Sequence, residues 1–189
     1  MNTDSDAPLV FVRSLLTNPK QVGAVAPSSP ALSRLMTSTV EGSKGPVLEV
    51  GAGTGAITRE LIQRGVHTDR LVLVERDPTM AAFLRRKFPR VRVLCGDALH
   101  SKRLLAAADM GPAGTIISSL PLRNFSRPEQ IETLRGMVAA LAGDGQLIQF
   151  TYAAGCPVPW RHLGLRAERL GRVWLNMPPA AVWRFTVGL

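Results

Sequence analysis

The chain has 189 residues, a formal charge of +9 and 46% hydrophobic residues, which suits one domain with a sizeable core and argues against disorder. No apolar run approaches the roughly 18 residues needed to span a bilayer, and the polar, acidic start from Met1 to Pro8 is unlike a signal peptide, so a cytoplasmic location is expected. Two isolated thiols, Cys95 and Cys156, and three scattered histidines exclude a disulfide framework and a metal cluster; Cys95, at a strand end, reads as a buried small hydrophobe.

Leu9, Val12, Leu15 and Leu16 follow helical spacing and predict a short amphipathic helix over 9–17, ended by Asn18-Pro19. A loop over 21–27 leads to Ser28-Ser29-Pro30, a hydroxyl cap with proline in the first turn, and a second helix to about Val40. Residues 1–45 therefore read as a helical N-terminal segment and 46–189 as the main domain. From Pro46 the pattern alternates. Strands are predicted near 46–50, 71–75, 91–95, 114–118 and 145–152, and helices near 56–64, 78–87, 99–108 and 128–141. Such alternation implies a parallel sheet covered on both faces. Residues 166–176 and 181–187 read as a closing antiparallel hairpin, so the expected fold is α/β and Rossmann-like, with a mostly parallel seven-stranded sheet.

The first strand, Val47-Leu48-Glu49-Val50, runs into Gly51-Ala52-Gly53-Thr54-Gly55 and then a helical pattern. A strand, glycine turn and helix in this order grip a nucleoside-containing cofactor, because glycine allows a sharp turn and close backbone approach. The spacing suits a dinucleotide or S-adenosylmethionine. Three acids separate the two, since Glu49, Glu75 and Asp97 each end one of three successive strands. Glu49 would aim negative charge at a pyrophosphate, whereas S-adenosylmethionine has no phosphate and carries an ammonium and a sulfonium. Glu49 is assigned to the methionine end. Gly51, Gly53, Thr54 and Gly55 form the close-contact turn, Glu75 takes the ribose hydroxyls, and Asp97 with the Ala98 amide reads adenine. Arg76 either stacks on adenine or is solvated.

The fourth strand ends in Ile117-Ser118-Ser119-Leu120-Pro121-Leu122, a proline-fixed turn that faces the methyl group and the acceptor; Ser118 joins the cofactor-binding set, and Ser119 can accept a hydrogen bond from an amine. Eleven basic residues between Arg59 and Arg103, and five arginines from Arg161 to Arg184, favour polyanions, either nucleic acid or an anionic membrane face.

The Ser119-Leu120-Pro121-Leu122 turn is related to the Asn-Leu-Pro-Tyr of ribosomal RNA adenine dimethylases, but lacks the aromatic that stacks on a flipped base. RNA adenine methylation is therefore the alternative, and nucleic acid an unlikely partner. The chain more closely resembles bacterial phospholipid N-methyltransferases of the Rhodobacter type. The matching segments are residues 21–29, 48–55, 71–75, 118–122, 149–152 and 173–180. That resemblance implies successive methyl transfers from S-adenosylmethionine to the amine of phosphatidylethanolamine, giving phosphatidylcholine and S-adenosylhomocysteine. It also implies peripheral attachment to the inner face of the cytoplasmic membrane, an anionic surface, through the amphipathic N-terminal helix. Within this reading Ser119, Tyr152 and Asn124 are the candidate amine or phosphate contacts, and Arg123 or Arg127 can pair with the lipid phosphate. Tyr152 is alternatively a core ring with a tethered hydroxyl.

Overall fold

The computed structural model describes residues 28–40, 42, 44–152, 155, 156, 158–174 and 179–188. The helix expected over 9–17 lies outside them. Seven strands form one sheet in the order β3-β2-β1-β4-β5-β7-β6. They are β1 (Val47–Val50), β2 (Leu71–Glu75), β3 (Arg92–Cys95), β4 (Ala113–Ser118), β5 (Leu141–Thr151), β6 (Leu165–Val173) and β7 (Ala180–Val187). The first five pair in parallel, while β7 runs antiparallel to both β5 and β6. The expected Rossmann-like sheet with its closing hairpin is thus present.

Among the described residues, five α-helices cover it: α1 (Pro30–Met36), α2 (Ala56–Gln63), α3 (Pro78–Lys87), α4 (Ser101–Ala107) and α5 (Arg127–Val138). Side chains alternate between the faces of a strand, and two cores result. Val47, Leu71, Leu73, Ile117, Ile148 and Val182 pack with α1, α2 and α3. Leu48, Val50, Val72, Ile116, Leu147 and Phe185 pack on the opposite face with α4 and α5. Helix starts follow local chemistry. Asp77 Oδ1 accepts from the amides of Thr79 and Met80 at 2.8 and 2.9 Å, with proline in the first turn. A capping box from Ser126 to Glu129 opens α5.

Several boundaries differ from expectation. α1 stops at Met36, where the Thr37 hydroxyl donates back to the Ser33 carbonyl at 2.9 Å and competes with the helix ladder. β5 begins at Leu141 because an irregularity between Ala113 and Thr115 lets the strand pair early. Cys95 is exposed rather than buried. It closes β3, an edge strand with a neighbour on one side only, so nothing covers its thiol as the sheet interior would.

Candidate active site at the carboxyl edge of the sheet

Parallel pairing carries the ends of β1, β2 and β3 to one edge, where Glu49, Glu75 and Asp97 gather with the glycine turn. Gly51, Gly53 and Gly55 all have positive φ, +72°, +52° and +77°, a region costly to other residues. The three differ in surroundings. A Cβ on Gly55 would lie 2.3 Å from the Phe88 ring, and one on Gly51 would lie 3.0 Å from Leu120. On Gly53 it would meet nothing nearer than the Gly51 carbonyl at 4.0 Å, so the turn is open to a ligand on that side. The turn is tied to β2 by Gly51 N–H, which donates to the Val74 carbonyl at 2.9 Å. The Gly53 N–H donates to Glu75 Oε2 at 3.1 Å. Glu75 Oε1 accepts from the Asp77 amide at 3.1 Å.

Glu49 sits beneath the turn and is fully buried. Its Oε2 accepts from the Thr58 hydroxyl of α2 at 2.7 Å, while Oε1 has no hydrogen-bond partner among the described residues. Burial pushes its carboxyl up to about 8, against the lowering effect of Thr58 and with a small raising contribution from the Glu75 charge. Asp97 Oδ1 accepts from the Leu99 amide at 2.9 Å, and Oδ2 lies 3.7 Å from the guanidinium of the exposed Arg76. Ala98 is buried behind it. Thr54 is half-buried in the turn, and its carbonyl accepts from Lys87 Nζ at 3.4 Å.

The end of β4 flanks the glycine turn. Ser119 N–H donates to the Val50 carbonyl at 2.9 Å, which holds the Ser119-Leu120-Pro121 turn beside the glycine turn. Ser119 is half-buried, whereas Ser118 is fully buried on the opposite sheet face from Glu49 and its hydroxyl accepts from the Leu120 amide at 3.4 Å. Tyr152 is half-buried and packs edge-on to Phe150, ring centroids 5.2 Å apart, on the α1 side of the sheet. Asn124 is exposed in the 3-10 turn Leu122–Asn124. Sequence reasoning misses Gln149, whose Nε2 donates to the carbonyls of Leu120 and Phe150, both at 2.9 Å. Its signal is a polar residue inside the apolar run Leu147-Ile148-Gln149-Phe150. Phe88, the wall behind Gly55, gives no such signal.

A family model described as a methyltransferase domain matches residues 47–145, from β1 into β5. The chain belongs to the methyltransferase-domain family. An ornithine lipid N-methyltransferase of Singulisphaera acidiphila is 29% identical over 184 residues, 92% of this chain and 93% of that protein. A ribosomal RNA small subunit methyltransferase A of Chlorobium chlorochromatii is 37% identical over 75 residues, 40% of this chain, and the match spans only 27% of that longer enzyme. Among solved structures, a TehB-like SAM-dependent methyltransferase from Corynebacterium glutamicum aligns with a TM-score of 0.64 at 17% identity, covering 95% of this chain and 99% of that one. Magnesium protoporphyrin IX methyltransferase from Synechocystis, solved with bound SAM, aligns at 0.63 and 11% identity, covering 94% and 84%.

The cofactor of this methyltransferase is S-adenosylmethionine. Its cationic methionine end suits an edge that carries a buried carboxyl oxygen without a partner among the described residues and a glycine turn open at Gly53.

Proposed function

We propose that this methyltransferase transfers methyl groups from S-adenosylmethionine to the headgroup amine of a phospholipid, phosphatidylethanolamine and its methylated derivatives, toward phosphatidylcholine. The likeness that carries this reading is the one that runs the length of both chains, to an enzyme whose name specifies N-methylation of an amino lipid. The match to ribosomal RNA enzymes covers only a fraction of either chain. Leu122 supports the same choice. It stands where those RNA enzymes carry an aromatic, and it is buried in the α5-side core, out of reach of a flipped base.

In this reading Glu49 holds the methionine ammonium, the turn of Gly51, Gly53, Thr54 and Gly55 follows the methionine and ribose, and Glu75 takes the ribose hydroxyls. Asp97, with the Ala98 amide and Arg76, borders the adenine, and Ser118 supports the turn beside the methyl group. Bound S-adenosylmethionine supplies an electrophilic methyl and leaves as S-adenosylhomocysteine. Ser119, Tyr152 and Asn124 orient the lipid amine, and Arg123 or Arg127 pairs with its phosphate. The incoming nitrogen forms the new N–C bond as the S–C bond breaks, so the protein mainly aligns the reactants. The amine sheds one proton per transfer, and apolar surroundings favour its neutral, attacking form.

The N-terminal segment, residues 1–45, is proposed to cover the active site and to hold the enzyme on the inner face of the cytoplasmic membrane through helix 9–17.

The deciding experiment offers labelled S-adenosylmethionine with phosphatidylethanolamine vesicles, ornithine lipid vesicles or ribosomal RNA. Label in phosphatidylethanolamine is the expected result. Label confined to ornithine lipid would correct the substrate, and label confined to RNA would overturn the lipid reading.

A further inference from the structure

We propose that Trp174, with Arg172 stacked on it, docks the carboxyl edge of the sheet on an anionic phospholipid surface. The proposal deepens the lipid reading, naming residues that present the site to its substrate.

Three large hydrophobic residues are exposed among the described ones: Leu99, Val187 and Trp174, the last at 69%. Their places differ. Val173 of β6 pairs with Ala180 of β7, and Ala181 pairs with Thr151 at the end of β5. Trp174 therefore stands at the edge where β1 to β5 end, the edge of the open glycine turn. Leu99, just after Asp97, stands there too, while Val187 lies at the opposite edge opposite Leu165. An indole left in water at this edge of the sheet, with an apolar body and one N–H, is suited to the boundary between headgroups and acyl chains.

Charge selects the partner. The Arg172 guanidinium lies 4.8 Å from the centre of the Trp174 ring, a cation–π contact that orients both side chains. Acids gather at one end of this edge, with Arg76 beside Asp97, and further arginines lie beyond them. Glu49, Glu75, Asp77 and Asp97 gather over β1 to β3, where the cationic methyl donor binds. Arg123, Arg127 and Arg172 follow β4 and end β6, and no carboxylate among the described residues pairs with them. Glu129, the acid nearest Arg123 and Arg127 in sequence, is engaged at the α5 cap by Ser126, and Glu168, the acid nearest Arg172, pairs with Arg184. An edge that carries an apolar ring beside Arg172, with Arg123 and Arg127 further along it, meets a bilayer carrying anionic phospholipid better than a zwitterionic one.

The test uses the full chain with mixed phosphatidylethanolamine–phosphatidylglycerol vesicles. W174A should lower vesicle co-sedimentation roughly tenfold and raise KM for vesicular lipid, with unchanged S-adenosylmethionine affinity and unchanged turnover of short-chain, detergent-dispersed phosphatidylethanolamine. Acyl-brominated lipids should quench tryptophan emission of the wild type and not of W174F. R172Q should weaken binding to anionic vesicles and leave the weak binding to pure phosphatidylcholine vesicles as it was. Wild-type sedimentation and quenching by the Trp174 variants would overturn the proposal. So would an equal loss of activity on dispersed and vesicular lipid, which would place Trp174 in the active site. Trp174-dependent docking by a wild type that methylates no lipid would uphold the docking and defeat the substrate reading.

Discussion

Thr58 of α2 donates its hydroxyl proton to one oxygen of Glu49 at 2.7 Å and leaves the other oxygen buried without a partner. The acid is thus fixed in position and only half satisfied. Burial raises its carboxyl from 4.5 to about 8, so the ligand-free protein holds this proton at neutral pH. An acid raised on folding contributes stability that is present below its unfolded value and is lost as pH rises through the folded one. The ligand-free protein should therefore lose on the order of 5 kcal/mol across the interval from 4.5 to about 8. Glu49→Gln should flatten that slope in denaturant melts recorded against pH. A cation beside Glu49 favours its charged form, so S-adenosylmethionine should bind more tightly as pH rises toward 8, with release of a proton. Calorimetry in buffers of different ionisation enthalpy reads that proton, and a binding reaction that releases none would take Glu49 away from the methionine end.

Gly53 and Gly55 separate folding from binding. Gly55→Ala must accommodate both its positive φ and the Phe88 ring 2.3 Å away, and should cost well over the roughly 2 kcal/mol of backbone strain alone. Gly53→Ala meets open space, so its stability cost should stay near 1–2 kcal/mol. Its methyl group, however, fills the open side of the turn, the side on which the cofactor is proposed to lie. Thermal melts and binding isotherms on the two variants should show Gly55→Ala failing in the first and Gly53→Ala failing in the second.

Glu75 links the glycine turn to α3 through two backbone amides, Gly53 and Asp77. Glu75→Ala strands both donors and removes the acceptor proposed for the ribose. Affinity for S-adenosylmethionine should fall by roughly 1–3 kcal/mol. Wild-type affinity in calorimetry would remove Glu75 from the site.

Gln149 braces the Ser119-Leu120-Pro121 turn, proposed to face the acceptor, through the Leu120 carbonyl. Gln149→Leu removes two donated bonds and also a buried carbonyl oxygen that has no partner. These effects oppose each other, so stability should change by only about 1 kcal/mol. The Leu120 carbonyl loses its anchor, and turnover should drop roughly tenfold, about 1.4 kcal/mol in the barrier, while cofactor affinity holds. A drop in affinity without a drop in turnover would show that the brace serves the donor side instead.

The strand-turn-helix at Val47–Gln63 and the alternation after it were legible because they are local. Apolar runs ending in acids, glycines at fixed spacing, and Asp77-Pro78 or Ser126-Arg127-Pro128 at helix starts each act within a few residues. The likeness of the three strand-end acids was enough to place them at one edge, since parallel strands linked by helices all end on the same side. Burial was less legible. Cys95 closes a strand just as Glu75 does and Glu49 nearly does, and only strand order reveals that β3 is an edge.

What the chain determined by itself was therefore the fold and the gathering of Glu49, Glu75, Asp97 and the glycine turn at one edge of the sheet, since both follow from short-range pattern. Tertiary structure alone decided which glycine is walled by Phe88 and which is open, which oxygen of Glu49 is left over, and that Gln149 holds a turn 29 residues away. These depend on contacts between residues far apart along the chain. Side-chain packing across strands and helices sets them, and no local sequence period records it.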